Sequence, residues 1–315
     1  AYACPRCLGP LDPEYDATAV AARLSREAVE AGPRSIWRYA AVLPASPGPG
    51  DLAPGLTPLV PAPRLAEALG VPGPLFLKDD TRNPTNSFKD RVVAVAVARA
   101  RAFGLTTVAC ASTGNLAGAT AAAAAAQGLE CVVVIPADLE AGKVASAAAF
   151  GATVVAVEGS YDQANRLSMQ AVEAFGWGFV NVNLRPWYAE GSKTVGLEVA
   201  EQLGWSLPEH VVVPIASGAL LTKVHQGFGV LADHGLVERT PARVHGAQSV
   251  GCSPVATAFA AGVDEVTPVR PSGIVKSLAI GDPADGAEAL ATVRSTGGRV
   301  EAVDDDEVVE AIELL

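Results

Sequence analysis

Thr106-Thr107-Val108-Ala109-Cys110-Ala111, then Ser112-Thr113-Gly114-Asn115, then an alanine-rich run from Leu116 to Gln127, is the stretch that decides the fold class. Its first six residues form a short apolar, β-branched run, the pattern of a buried strand. Four small residues make a tight turn, and the alanines that follow are the strongest helix formers. A strand, a small-residue loop and a helix N-terminus together make a ready anion site, because the first-turn N–H groups have no partner inside the helix. The pattern recurs at Val211-Val212-Val213-Pro214-Ile215, then Ala216-Ser217-Gly218-Ala219, then a helix from about Leu220. One such turn is common in any α/β protein and most often purely structural.

The same alternation runs outward along the chain. Strands are expected at 75–78, 106–111, 131–135, 154–157, 179–181, 211–215, 244–248 and 299–303. Helices are expected at 90–103, 116–127, 143–150, 161–175, 193–203, 220–234 and 304–315. Short β-branched runs separated by helical patterns describe an α/β chain with mostly parallel sheets covered by helices. Residues 43–55 are rich in proline and glycine and read as a loop. No internal repeat is present.

Upstream of the first anion loop lies Asn83-Pro84-Thr85-Asn86-Ser87-Phe88-Lys89-Asp90-Arg91. Ser87 is expected to cap the following helix through the amide of Asp90, with Asp90 as the answering acid of a capping box. Lys89 then falls in the first turn, where the helix dipole disfavours an ammonium and lowers its pKa. A partly neutral amine is what imine chemistry with an aldehyde needs. The plain alternative is a surface lysine on an ordinary helix. Two anion loops and an activatable lysine describe a pocket for a carboxylate, a phosphate and a carbonyl carbon.

Composition excludes several classes. At 315 residues the chain can bury a large core, and length suggests two domains. Half the residues are hydrophobic, yet no apolar run approaches the roughly 20 residues of a membrane span. The start, Ala1-Tyr2-Ala3-Cys4, lacks the order of a secretory signal, so the cytoplasm is the expected location. The 23 basic and 34 acidic side chains give a net charge of −11, which argues against nucleic acid or an anionic membrane as partner. Lys143, Arg185, Lys193 and Lys223 lie in the motif segments, so a local anion pocket is compatible with that charge. A homodimer is one assembly open to the chain; the sequence does not set the oligomeric state.

Other motif readings fail on spacing. Gly191-Ser192-Lys193-Thr194 lacks the glycine-lysine adjacency of a phosphate loop, and Gly142-Lys143 is followed by Val144 rather than a hydroxyl residue. Ser217 has no nucleophile-elbow context, and the four histidines are scattered. Five cysteines make an odd count with no disulfide framework. Cys4-Pro5-Arg6-Cys7 has zinc-knuckle spacing, but a structural zinc needs four ligands, so Cys4 and Cys7 are weak zinc candidates and no metal is expected.

Taken together, these segments resemble the threonine synthase family of pyridoxal-phosphate enzymes, in fold type II, whose architecture is tryptophan synthase β-like. Asn83 to Arg91 is similar to the family's lysine segment, and Ala111-Ser112-Thr113-Gly114-Asn115-Leu116-Ala117 to its substrate-carboxylate loop. Ile135-Pro136-Ala137-Asp138-Leu139-Glu140, Asn181-Val182-Asn183-Leu184-Arg185-Pro186, Glu190-Gly191-Ser192-Lys193-Thr194 and Lys276-Ser277-Leu278-Ala279-Ile280-Gly281 are similar to the archaeal-type branch. So is Pro283-Ala284-Asp285-Gly286.

The resemblance implies pyridoxal 5'-phosphate as cofactor and an anionic amino acid as substrate. The implied reaction converts O-phospho-L-homoserine and water to L-threonine and phosphate, by loss of phosphate from Cγ and addition of water at Cβ. It assigns Lys89 as the lysine that joins the cofactor's aldehyde and as general base. Ser217, Gly218, Ala219 and Leu220 would hold the cofactor phosphate, and Asn115 would lie against its phenolic oxygen. Ser112, Thr113 and Asn115 would hold the substrate carboxylate, with Lys143 and Arg185 on the γ-phosphate. Arg185 could instead pair with Glu190, and Lys193 is open between structural pairing and a helix start.

The same resemblance places a larger domain at 13–95 and 185–315, a smaller mobile domain at 96–184, and a zinc-ribbon remnant at 1–12. Two departures stand out: Gly118 occupies a position where relatives often carry asparagine, and the C-terminus is expected to be incomplete, lacking a helix and a strand with a Thr-Gly-x-Gly segment. A serine/threonine dehydratase, a cysteate-synthase-like β-replacement enzyme and a non-catalytic cofactor-binding homologue share most of these features.

Overall fold

The computed structural model describes residues 4, 6, 10–112, 114–137, 145–158, 161–240 and 242–315. In chain order the elements are α1 (Ala17–Ala21), α2 (Arg26–Glu30), β1 (Leu59–Pro61), α3 (Pro63–Ala68), β2 (Phe76–Lys78), α4 (Lys89–Ala102), β3 (Thr107–Ala111) and α5 (Asn115–Ala126). Then follow β4 (Glu130–Pro136), α6 (Ala145–Ala149), β5 (Thr153–Val157), α7 (Tyr161–Phe175), β6 (Gly178–Phe179), α8 (Arg185–Gln202), β7 (His210–Pro214) and α9 (Ala219–Asp233). The chain closes with β8 (Arg243–Ser249), α10 (Pro254–Ala261), α11 (Gly286–Ser295), β9 (Val300–Val303) and α12 (Asp305–Leu314). By internal contacts it divides into two compact units, Ala1–Pro58 with Asp79–Thr194, and Leu59–Lys78 with Val195–Leu315.

The first unit is built on a parallel four-stranded sheet in the order β5-β4-β3-β6. Every residue of β3 is buried, so the strand is covered on both faces and reads as a continuous apolar run. On one face, Val93, Val97 and Ala100 of α4 and Ala117, Ala121 and Ala124 of α5 pack over Val108, Cys110, Val133 and Ile135. Alanines along α5 favour the helix and keep its surface low enough to lie close to the sheet. The other face buries Ala109, Val132, Val134 and Phe179 with Ala171 of α7. In this apolar setting burial pushes the Cys110 and Cys131 thiols up to about 12, so both act as small core residues.

The strand order reverses direction between β3 and β6. At that point Asn181 spans the gap, its Oδ1 accepting from Ala111 N and its Nδ2 donating to Ala111 O, each at 3.4 Å. Open α/β sheets bind ligands at such a reversal, beyond the carboxyl ends of the strands.

The second unit holds the parallel sheet β7-β8-β9 and the antiparallel pair β1-β2. Lys78 at the end of β2 reaches the C-terminal half of α8, its Nζ 2.7 Å from Glu198 Oε2 and 2.8 Å from Gln202 Oε1. Gly196 lets α8 lie against α9, since a Cβ there would stand 2.4 Å from Val224 O. Among the described residues no helix is long and apolar enough to cross a membrane.

The expected strands and helices are present with ends shifted by a residue or two, with one larger difference. The helix expected from 193 begins at Arg185, and Pro186 suits its first turn because a missing N–H costs nothing there. The segment expected as strand 179–181 contributes only Gly178–Phe179 before turning. Elements β1, α1, α2, α3, α10 and α11 were not anticipated by the alternation pattern.

A histidine pair links all three strands of the second sheet. The Arg299 N–H, just before β9, donates to His245 Nδ1 on β8 at 3.1 Å, and His245 Nε2 lies 2.9 Å from His210 Nδ1 on β7. An acceptor Nδ1 places the His245 proton on Nε2, where it donates to His210. Burial first, then His210, Arg243 and Arg299, hold the His245 imidazole below its ordinary value of 6.5. The folded state therefore prefers neutral His245, and this contribution is complete above pH 6.5 and lost as pH falls below it. The hydrogen-exchange protection factor of the Arg299 amide is expected to drop between pH 7 and pH 5. An unchanged protection factor would refute the coupling.

Candidate active site

Lys89 is the first helical residue of α4 and is half-buried. The turn that delivers it is built from side chains reaching back to the backbone. Asn83 Oδ1 accepts from Gly55 N at 2.9 Å, and Asn86 N donates to Asn83 O at 2.9 Å. Asn86 takes φ +56°, a left-handed conformation that asparagine tolerates better than other side-chain-bearing residues.

The cap differs from expectation. Ser87 Oγ accepts from the amide of Lys89 itself at 3.1 Å rather than from Asp90, because Phe88 already lies in the helical region. Asp90 turns back as anticipated, but chiefly onto Thr85, accepting its N–H and its hydroxyl at 2.8 Å each. Burial raises the Asp90 carboxyl, against the pull of the Thr85 and Ser87 donors. With Ser87, Asp90 and Arg91 buried, the Lys89 Nζ is left over the Phe88 ring, 5.4 Å from its centroid.

Chain direction brings further predicted residues to the same edge of the first unit. Helix α4 runs into β3 and α5 leaves it, so both helix N-termini lie at the carboxyl end of the strands. Ser112 follows β3 and is half-buried; Asn115 opens α5 and is exposed. Gly114 precedes it at φ 70°, ψ −135°, and no side chain among the described residues caps α5, which leaves first-turn N–H groups available to an anion. Arg185, half-buried, opens α8 just after β6 at the same edge. Glu190 Oε2, five residues on, takes Lys193 and Tyr15. Thr113, Lys143 and Cys7 lie outside the described residues; Cys4 is half-buried and in no disulfide among the described residues.

Gly118, one turn into α5, faces α6: a Cβ there would stand 3.1 Å from Ser146 Oγ. An asparagine at this position would require Ser146 to give way. The glycine and the small serine thus match each other.

The second anion loop stands in the second unit. After β7, Ser217 and Gly218 turn the chain into α9, with Gly218 as N-cap at φ +98°. A Cβ on Gly218 would lie 2.5 Å from Asp285 O, and Asp285 N donates to Ser217 O at 2.9 Å. Asp285, from the Pro283-Ala284-Asp285-Gly286 segment, therefore backs the loop. Sequence reasoning matched that segment to the family without assigning it a role.

Among the described residues no side chain caps α9, and Ala219 N reaches Ser217 Oγ only at 3.4 Å. A glycine whose Cβ position is filled by neighbouring backbone, followed by open first-turn N–H groups, fits a phosphate ester. Each unit thus offers a group suited to one part of pyridoxal phosphate: a half-buried primary amine at Lys89 in the first, an open helix N-terminus after Gly218 in the second.

Lys193 proves to be structural. It lies in the middle of α8, 3% exposed, with Nζ 2.5 Å from Glu190 Oε2 and 4.4 Å from the Tyr15 ring centroid. Tyr15 donates to the same carboxylate oxygen at 2.6 Å, and burial with the Glu190 charge pushes the phenol far above its ordinary value. The lysine of the GSKT stretch is thus committed to an internal ion pair.

Residues 51–315 match the family of pyridoxal-phosphate dependent enzymes. The chain is 35% identical over 312 residues to the threonine synthase of Methanosarcina acetivorans, covering 98% of this chain and 76% of that protein. It is 34% identical over 318 residues to the threonine synthase of Methanocaldococcus jannaschii, covering 100% and 78%. Among solved structures, maize serine racemase superposes with a TM-score of 0.65 at 25% identity, covering 82% of this chain and 76% of that one. A fungal L-serine ammonia-lyase from Rhizomucor miehei does so at 0.65 and 22%, covering 83% and 80%, a likeness of fold. With one lysine turn, two open helix N-termini and this breadth of similarity, the chain belongs to the threonine synthases, pyridoxal-phosphate-dependent enzymes of fold type II.

Proposed function

We propose that the chain converts O-phospho-L-homoserine and water to L-threonine and phosphate, with Lys89 as its reactive amine. The observation that carries this reading is the Lys89 turn, where Thr85, Ser87, Asp90 and Arg91 are engaged with one another or with the fold and the amine lies over an aromatic ring. Pyridoxal phosphate, when bound, supplies an electron sink for charge developing at the substrate's α-carbon.

The chain's own residues do the rest. Ser217, Gly218, Ala219 and Leu220 would hold the cofactor's phosphate through backbone N–H groups, and Asn115 would serve its phenolic oxygen. Ser112, Thr113 and Asn115, with the N-terminus of α5, hold the substrate carboxylate. Lys89 Nζ takes the proton from the substrate's α-carbon and serves as the local proton carrier. Lys143 and Arg185 bind the γ-phosphate, Arg185 through its planar fork and Lys143 as a point charge, and so favour departure of phosphate from Cγ. Residues 96–184 act as the smaller, mobile domain. The working location is the cytoplasm and the assembly a homodimer.

Three substitutions test the assignments. Lys89→Ala is expected to lower threonine formation and phosphate release together by about a thousandfold or more, within the range for a lost general base. Retention of either would remove Lys89 from the chemistry. Arg185→Ala should raise the KM for O-phosphohomoserine about 10- to 100-fold, the loss of one charged hydrogen-bonding partner, and Lys143→Ala should act in the same direction. Unchanged kinetics in both would point instead to a dehydratase or β-replacement reaction that needs no γ-phosphate site. Gly218→Ala, which combines a positive φ with a 2.5 Å backbone clash, should weaken cofactor retention about tenfold or more in equilibrium dialysis.

A further inference from the structure

Arg91 is the second residue after Lys89, and its side chain is fully buried. A guanidinium keeps its charge at any working pH, so burial demands that its donors be met. Nε donates to Asp80 Oδ2 at 2.8 Å and Nη2 to Asp80 Oδ1 at 2.8 Å, a bidentate pair. Nη2 also donates to Thr57 Oγ1 at 2.9 Å, and Nη1 to Thr194 Oγ1 at 3.1 Å. Thr57 Oγ1 donates in turn to Asp80 Oδ1 at 2.7 Å. One side chain in the first turn of α4 is therefore gripped by three separate segments of the first unit.

The grip from α8 is as close as backbone allows. A Cβ on Gly191 would lie 2.5 Å from Arg91 O and 2.6 Å from Val92 Cα, so α8 presses on the first turns of α4 and brings Thr194 to the guanidinium. Residues two apart on a helix point about 200° from each other, so Arg91 anchors the face opposite to Lys89. The backbone of Lys89 is held from behind while its amine stays outside the network.

We propose that Arg91 is a positioning residue for Lys89. Its clamp with Asp80, Thr57 and Thr194 fixes the lysine's Cα so that the flexible amine returns to one place in every turnover. This rests on the reading of Lys89 as the cofactor-linked amine. It explains why a bidentate cation, rather than a second lysine, stands two residues on. It also gives the glycine and threonine of the GSKT stretch a task.

The test uses Thr194→Val, which removes one acceptor of the guanidinium and keeps the side-chain shape, beside Thr194→Ser, which restores the hydroxyl. Thr57→Val and Thr57→Ser form a second pair should the first valine variant fold poorly. On the full-length, cofactor-loaded protein, Thr194→Val is expected to lower kcat about 10- to 100-fold with KM within about threefold, as misplacement of a reacting group does. After a pulse of amino-acid substrate is consumed, borohydride should trap cofactor on the Lys89 peptide at least about tenfold more slowly than in the parent protein. Thr194→Ser should recover both quantities.

A lowered melting temperature with unchanged trapping rate and kcat in both valine variants would overturn the proposal and leave Arg91 a purely structural residue. Failure of the underlying reading looks different: borohydride on the parent protein would then fix cofactor to another lysine or to none, and the proposal would fall with it.

Discussion

The buried guanidinium of Arg91 is the constraint on which the geometry of the Lys89 turn depends. Removing one partner from a buried, hydrogen-bonded ion pair costs about 3–5 kcal/mol, because the remaining charge is stranded. The Asp80 carboxylate, two threonine hydroxyls and the glycine that admits α8 must all be in place before that charge can be buried. Once they are, the first turn of α4 has little freedom left. Asp90 removes more by taking both donors of Thr85, and it does so at the cost of its own desolvation. The lysine turn is over-determined, and its amine is the one long side chain exempt from the pattern.

How far this was legible in the sequence depends on the range of the interactions involved. The two anion loops were readable because a strand, small residues and a helix start are all local signals. The lysine's place at a helix N-terminus was readable for the same reason. The cap was misplaced by one residue because Phe88 enters the helical region early, and nothing in Ser-Phe-Lys dictates that. The start of α8 was misjudged more seriously. Gly191-Ser192 inside a helix looks like a break, since glycine there costs about 1 kcal/mol relative to alanine. The compensation is tertiary: only glycine lets α8 touch the backbone of Arg91 and Val92. Pro186 at the helix start was a local signal that pointed the right way.

Long-range pairings left no trace of that kind. Arg91 and Thr194 are 103 residues apart, Lys78 and Glu198 are 120 apart, and Tyr15 and Glu190 are 175 apart. Arg91 reads in the sequence as one more basic residue of a helix, and Tyr15 as an aromatic in a proline-flanked arm. The GSKT stretch is the instructive case. Its composition suggests phosphate, whereas its lysine is sealed in an ion pair with Glu190 and its threonine serves a guanidinium. Spacing had excluded a phosphate loop; packing says what the residues do instead.

Both helix starts offer an anion backbone N–H groups rather than a buried cation, and desolvation explains why such groups suit the task. A side-chain cation buried deeply enough to hold a phosphate firmly would need its own counter-charge in the absence of ligand, as Arg91 needs Asp80. First-turn N–H groups carry no net charge and are unpaired by helix geometry, so they stand ready at little cost. Gly218 makes that possible by occupying a conformation and a space that no side chain could share with Asp285 O. Depth separates these cations: Arg91 and Lys193 are sealed and paired, whereas Lys89 and Arg185 are half-buried. A cation sealed in the first unit carries its own counter-charge, Arg91 with Asp80 and Lys193 with Glu190, and is spent on the fold.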